Sequence, residues 1–336
     1  MQDVYELNTS DCRKLTYLYN HSGIKKRYSV IEDYGISSSH LFIPKEKEAP
    51  FPSLEKRMEV YDRESVKLSL TAVRKCLHNI ILPQQITHLI TVSCTGMSAP
   101  GLDLALLQEM ELSPNIFRTS INFMGCYAAI HALKIAKMIC DTSPESNVLI
   151  VCTELCTLHF QKEFTEDNAA SSLLFADGSA AVLVSNVITN ANALKLNGFY
   201  SHVAIKGKSD MSWQLSSKGF LMTLSSYVPQ LIQEDIHMLV NMAVKKFDLS
   251  LTDITHWCIH PGGKRILDVI QKKLELPEEA LSHSRNILSN YGNMSSPTVL
   301  FVLKEMMDSL NRLPARILGM AFGPGLTMET FIVEKE

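Results

Sequence analysis

The sequence lacks what a nucleic-acid binder, a membrane protein or a disulfide scaffold would need. Its 336 residues carry 32 Lys+Arg against 35 Asp+Glu, a net charge of −3 that offers no attraction to a phosphate backbone. No apolar run reaches the ~18 residues of a membrane-spanning helix. Met1-Gln2-Asp3-Val4-Tyr5-Glu6 has neither the basic start nor the apolar stretch of a secretory signal, so a cytoplasmic location is expected. Eight cysteines are too few to staple a chain of this length. Cys152 and Cys156 stand four apart without a second pair at ligand spacing, so no metal is expected. What is present is a composition of 46% hydrophobic and 20% charged residues, enough for a core in two domains or one large fold.

Helical and extended signals alternate along the chain. Val66, Leu70, Val73, Leu77 and Ile80 repeat at helical spacing up to Pro83, and Ile86 to Val92 reads as a buried strand. Leu102 to Met110 reads as a helix, Ile116 to Asn122 as a strand, and 127–140 as a helix apolar on nearly every side, hence a buried one. Val148 to Cys152 and Ala180 to Ser185 follow as strands. In the second half a long helix, Val228 to Phe247, precedes a strand from Ile254 to Ile259. Ile86-Thr87-His88 opens one strand and Ile254-Thr255-His256 the other, 254 − 86 = 168 residues later, each after a helix and before a glycine-containing turn. This pattern implies an internal duplication: two α/β halves, 1–190 and 191–336, joined near residue 190 in the stretch Asn186 to Asn192.

Three segments carry residues suited to chemistry. In Asn122-Phe123-Met124-Gly125-Cys126-Tyr127 a strand ends, a glycine turns the chain, and Cys126 stands where the buried helix begins. Free amides and the helix dipole favour a thiolate there, although a buried cysteine is more often simply a small hydrophobe. His260 ends its strand at Pro261-Gly262-Gly263, where open α/β sheets place their sites and where two glycines admit a ligand close to the backbone. Set against this, a lone histidine is more often structural. Tyr291-Gly292-Asn293-Met294-Ser295-Ser296-Pro297 precedes a helix running from Thr298 to Leu310. Capping accounts for the serines and leaves Asn293, an amide able to donate to an oxyanion, unexplained. Phe322-Gly323-Pro324-Gly325 reads as a hairpin turn between Arg316–Ala321 and Thr327–Val333, and Asp177-Gly178 as another turn.

Taken together, these segments resemble the type III polyketide synthases, the chalcone and stilbene synthase family of thiolase-like enzymes. Gly125-Cys126-Tyr127-Ala128, Phe175-Ala176-Asp177-Gly178, His260-Pro261-Gly262-Gly263, Tyr291 to Ser296, Phe322 to Thr330 and Ile24-Lys25-Lys26-Arg27-Tyr28 fall in family order over nearly the whole chain. The resemblance implies a duplicated, thiolase-like five-layer αβαβα fold and a homodimer without a cofactor. Its substrates would be an acyl-CoA starter and malonyl-CoA. It implies Cys126 as nucleophile with His260 and Asn293, Phe175 as gatekeeper and Met222 at a second gate position usually held by phenylalanine. Phe322, Cys94, His159 and Ser295 would shape the cavity, with Gly262 and Gly263 beside the substrate. In chalcone-forming members the positions of Cys94 and His159 are usually threonine, so bacterial makers of alkylpyrones, alkylresorcinols or hydroxylated naphthalenes look nearer. Of the basic cluster for CoA phosphates Lys14 fits, whereas Tyr17 and His21 take the other places. The chain opens beyond the family's usual first strand and the helix segment after it, so an exposed sheet edge is expected. The rival enzyme on this fold, a β-ketoacyl-acyl-carrier-protein synthase III, usually has Gln-Ala-Asn after its histidine in place of Pro261-Gly262-Gly263. A rival of another class is a catalytically silent partner subunit.

Overall fold

The computed structural model describes residues 5, 7–35, 42–43, 50–189, 192–225, 227–310 and 314–335. In the first half β1 (His88–Ser93), β2 (Phe117–Asn122), β3 (Asn147–Leu155) and β4 (Asp177–Ser185) form a sheet in the order β2-β1-β3-β4. Next come β5 (Lys195–Val203) and a separate hairpin of β6 (Met211–Ser216) and β7 (Gly219–Leu224). With β8 (His256–Ile259), β9 (Ala315–Gly323) and β10 (Thr327–Lys335), β5 builds the second sheet, ordered β5-β10-β9-β8. The helices are α1 (Thr9–His21), α2 (Leu54–Leu77), α3 (Leu102–Glu109), α4 (Ala128–Thr142), α5 (Glu166–Leu174), α6 (Val228–Lys245), α7 (Lys264–Lys273), α8 (Ser282–Tyr291) and α9 (Thr298–Ser309).

The alternation of side chains along each strand sorts them into layers. Val148 and Ile150 of β3 point to a core shared with Ile130 and Leu133 of α4, Val299 and Val302 of α9, and Ile317 and Phe331 of the second sheet. Their neighbours Leu149 and Val151 point the other way, onto Val73 and Leu77 of α2 and Leu106 of α3. Leu318 and Met320 on the far side of the second sheet meet Ile236 and Val240 of α6 and Leu267 of α7. The order is therefore α2/α3, sheet, α4/α9, sheet, α6/α7: the five-layer, thiolase-like αβαβα arrangement. Strands buried on both faces read as continuous apolar runs, which is why β3 is buried along its whole length.

The repeated Ile-Thr-His marks the same hydrogen bonds in both halves. Thr87 N–H donates to Asn147 O (2.9 Å) and Asn147 N–H returns a bond to Thr87 Oγ1 (2.9 Å). Likewise Thr255 N–H donates to Arg316 O (2.9 Å) and Arg316 N–H to Thr255 Oγ1 (2.8 Å). Each threonine hydroxyl also meets Nδ1 of the next histidine, at 2.8 Å from His88 and 2.7 Å from His256. In both places the threonine fastens the start of a strand to its parallel neighbour, β1 to β3 and β8 to β9. Both strands therefore begin one residue after the threonine, later than the apolar runs suggested. The junction placed near residue 190 itself lies outside the described residues.

Two readings are corrected. Asp177-Gly178 is no turn but the start of β4. The Asp177 carboxylate accepts from Thr157 N–H (2.8 Å), Thr157 Oγ1 (2.6 Å) and Val30 N–H (2.8 Å), tying the amino-terminal segment to the sheet. Gly178 is glycine because Met294 fills the space of its side chain, with Sδ 2.4 Å from where a Cβ would stand. Nor do Ser295 and Ser296 cap α9: Pro297 occupies the cap position with no side-chain bond, because both serines are committed to the site described next.

Candidate active site

The turn after β2 is built for presentation rather than burial. Phe123 and Gly125 both adopt positive φ (56° and 84°), which swings Cys126 to the apex before α4 starts at Ala128. A Cβ on Gly125 would lie 2.2 Å from Pro324 Cδ, so only glycine lets the 322–326 turn close over the cysteine. Gly125 N–H in turn donates to Cys94 Sγ (3.0 Å), fixing the end of β1 beside the nucleophile candidate.

His260 arrives from the second sheet, its N–H bonded to Met320 O (2.8 Å). Gly262 lies against its ring, with Nε2 3.9 Å from where a Cβ would stand, and Gly263 at φ 152° starts α7. His260 is buried, yet neither ring nitrogen has a hydrogen-bond partner among the described residues. His159 shows the structural alternative. Its Nε2 donates to Thr95 O (2.8 Å) and its Nδ1 accepts from Phe220 N–H (3.0 Å), so it is a neutral, fully bonded ring. Buried polar groups are normally satisfied, and one left open into a cavity is kept for a ligand.

Asn293 is locked to Phe175 by a parallel bridge: Asn293 N–H donates to Leu174 O (2.9 Å) and Ala176 N–H to Asn293 O (2.9 Å). Its side-chain Oδ1 accepts from Ser295 N–H (2.8 Å) and Thr298 Oγ1 (3.4 Å), which leaves the Nδ2 donor facing the pocket. Arg27 holds this corner from outside, donating to Ser172 O and to Phe175 O (3.3 Å). That gives the Ile24 to Tyr28 segment a function in positioning the gatekeeper.

Beneath the site lies Glu154, fully buried. It accepts from Cys94 N–H (2.8 Å), Thr95 Oγ1 (2.7 Å) and Ser296 Oγ (2.7 Å), pinning the loop after β1 and the loop before α9 to β3. Burial outweighs these donors and pushes its carboxyl up to about 7. Burial also raises the Cys126 thiol to about 11, against the lowering influence of the Ser295 and Asn293 side chains, and drives His260 down to about 3. The thiolate expected from the helix start is thus overruled by desolvation: the resting pair is a thiol and a neutral imidazole. Among the described residues no group of His, Cys, Asp and Glu is arranged to hold a metal.

Cys126, His260, Asn293, Phe175, Phe322, Cys94, Met222, Ser295 and Gly262 all line one cavity of about 40 Å³. His159 stands behind its wall, stacked on Phe220 at 4.2 Å. Gly263 and Lys14 do not line it; Lys14 is exposed and paired with Asp11 at 3.6 Å, near the stacked rings of Tyr17 and His21. The sequence reading missed Met211, Trp213, Leu224 and Cys156, which line the same cavity. The signal was there: Met211, Trp213 and Met222, Leu224 alternate on either side of a short turn, as the inner face of a hairpin should.

Known proteins share this architecture. Sequence models of the chalcone and stilbene synthases match residues 4–187 as their N-terminal domain and 201–335 as their C-terminal domain. The chain is 32% identical to the putative chalcone synthase of Bacillus subtilis (strain 168), covering 95% of this chain and 92% of that protein. It is 30% identical to type III polyketide synthase C of Arabidopsis thaliana, covering 97% and 86%. The crystal structure of 1,3,6,8-tetrahydroxynaphthalene synthase from Streptomyces coelicolor A3(2) matches at a TM-score of 0.88 and 27% identity, over 99% of this chain and 92% of that one. The chain belongs to the chalcone and stilbene synthase family of type III polyketide synthases, acyltransferases on a thiolase-like fold.

Proposed function

We propose that the protein loads an acyl-CoA starter on Cys126, extends it with malonyl-CoA by decarboxylative condensation, and releases a pyrone, resorcinol or related phenol. One observation carries this reading: a buried cysteine, a histidine with both nitrogens open and an asparagine whose side-chain amide reaches the cysteine meet in one cavity. Neutral His260 takes the Cys126 proton as sulfur attacks the starter thioester, and the CoA thiolate leaves. Malonyl-CoA then presents its thioester carbonyl to His260 and Asn293 Nδ2. Losing CO2 builds enolate charge on that oxygen, two donors aimed at it lower the barrier, and no carboxylate base is required. The enolate carbon attacks the Cys126 thioester and the cysteine sulfur departs; CoA then carries the lengthened chain, which returns to Cys126 for the next round.

Met222 makes the gate with Phe175 more adaptable than two aromatic rings would. Dodecanoyl-CoA is therefore expected to give a higher kcat/KM than 4-coumaroyl-CoA, with Met222→Phe narrowing the difference. Product mass spectrometry over a panel of starters reads both. A preference for the aromatic starter that Met222→Phe leaves unchanged would remove this gate from specificity. A purified protein that forms no product from any starter would favour the silent-subunit alternative.

The same reading includes a homodimer. Strand β2 is a sheet edge whose residues are almost all solvent-exposed, Phe117 to 70%, and an uncovered edge of this kind invites a second strand. Light scattering should give twice the protomer mass, and Arg118→Pro, which removes an N–H on the open side of β2 while the alternate residues keep their bonds to β1, should shift the mass toward one protomer. A wild type at one protomer mass would contradict the assembly.

A further inference from the structure

Helix α4 delivers Cys126 from the first half of the molecule, whereas His260 follows β8 and Asn293 follows α8 in the second. The sulfur meets the histidine only if α4 is held in one place against the second sheet. Most of that contact is apolar, Ile130 and Leu133 of α4 sharing a core with Phe331 of β10. Apolar burial is non-directional and does not by itself fix a register.

One stripe of α4 is different. Tyr127, His131 and Lys134, at successive helical turns, face Thr327 and Glu329, which alternate onto the same side of β10 as Phe331. Tyr127 is hydrogen-bonded to Thr327, and its Cδ1 lies 2.6 Å from where a Cβ on Gly323 would stand. His131 Nε2 stands 3.3 Å from Glu329 Oε1, and Lys134 Nζ donates to Glu329 Oε2 (3.0 Å). Ser201, paired with Glu329 from β5, donates to the same oxygen (2.6 Å) and accepts from Lys134 (2.7 Å). The first turns of the nucleophile helix are thereby gripped by the strand that leaves the 322–326 turn.

Glu329 is 2% exposed. Burial alone would raise its carboxyl, but the bonds from His131, Ser201 and Lys134 outweigh it and hold the group below its ordinary range. An apolar side chain of similar volume could pack here at least as stably as a desolvated ion pair. What the charged bonds add is direction, since they form in only one register of helix on strand.

We propose that Glu329 is a positioning residue: by gripping His131 and Lys134 it sets Cys126 in line with His260; this rests on the polyketide-synthase reading above. Neither Glu329 nor Lys134 lines the reaction cavity, so both act through α4. Acyl loading needs Cys126 and His260 in register across the two halves. Decarboxylation of malonyl-CoA without a starter does not, because His260 and Asn293 both belong to the second half and keep their places.

The test measures the two steps separately, as the rate of acyl mass gain on Cys126 at saturating acyl-CoA and as CO2 released from malonyl-CoA alone. Glu329→Gln should slow loading by roughly 10- to 100-fold, the effect of misplacing a reacting atom by about 1 Å, with CO2 release unchanged. Lys134→Met removes the cation but keeps the stem and should do likewise, which carries the test if Glu329→Gln does not fold. Lys134→Arg keeps the cation and should load at close to the wild-type rate. Wild-type loading in both Glu329→Gln and Lys134→Met, CO2 release that falls as far as loading, or Lys134→Arg as slow as Lys134→Met would each overturn the proposal. A wild type that never acquires acyl mass would instead overturn the polyketide-synthase reading, and the role of Glu329 with it.

Discussion

Alanine at Asn293 should lower malonyl-CoA decarboxylation by roughly 10²–10³, the usual effect of losing one oxyanion donor, while acylation of Cys126 falls far less. The geometry supplies the reason. Asn293 Oδ1 is held by Ser295 N–H (2.8 Å), so the side chain cannot flip and Nδ2 is the atom presented to the enolate oxygen. Loading needs a base for the thiol, and His260 still provides it. Alanine also frees the Ser295 and Thr298 donors, so Asn293→Asp is the control. It keeps an oxygen for Ser295 N–H but puts an acceptor where the donor stood, and it should lose decarboxylation as well. Decarboxylation at the wild-type rate in both variants would take Asn293 out of the reaction.

Glutamine at His260 should slow acyl loading by roughly 10²–10⁴, the range expected for a lost general base, and should change its response to pH. Burial raises the Cys126 thiol to about 11 and lowers His260 to about 3. The imidazole is therefore neutral, and able to take a proton, at every pH above about 3. Wild-type loading should stay nearly level between about pH 6 and 9, because His260 is already in its basic form. Without it, attack depends on the free thiolate, which grows about tenfold per pH unit below the thiol's raised pKa. The variant should thus gain on the wild type as pH rises. Stopped-flow or quenched loading assays at a series of pH values check this, and a variant with a level profile would contradict His260 as the base.

The β-α grammar of both halves was legible because strands buried on two faces and helices buried between sheets leave long apolar runs. Even the doubling could be read from Ile-Thr-His, since each threonine makes the same strand-fastening bonds. Cys126, His260 and Asn293 stood out because a glycine turn or an uncommitted side chain had no better local explanation. What sequence alone concealed was set by distant partners. Ser296 looked like a cap, yet its hydroxyl serves Glu154, 142 residues away. Gly178 looked like a turn and is a packing contact with Met294. The thiolate inferred from the start of a helix was overruled by desolvation, which depends on every layer around Cys126 and on no local motif. Met211, Trp213, Met222 and Leu224 went unread because 211–224 forms two short, half-polar strands whose inner face lines the cavity.

The central claim is that Cys126 carries the acyl chain. Incubation with an acyl-CoA alone, followed by digestion and peptide mass spectrometry, tests it most directly. The expected result is the acyl mass on the peptide containing Cys126, with Cys94 and Cys156 unmodified although all three sulfurs line the same cavity. Acyl mass on Cys94 or Cys156, with Cys126 bare, would contradict it.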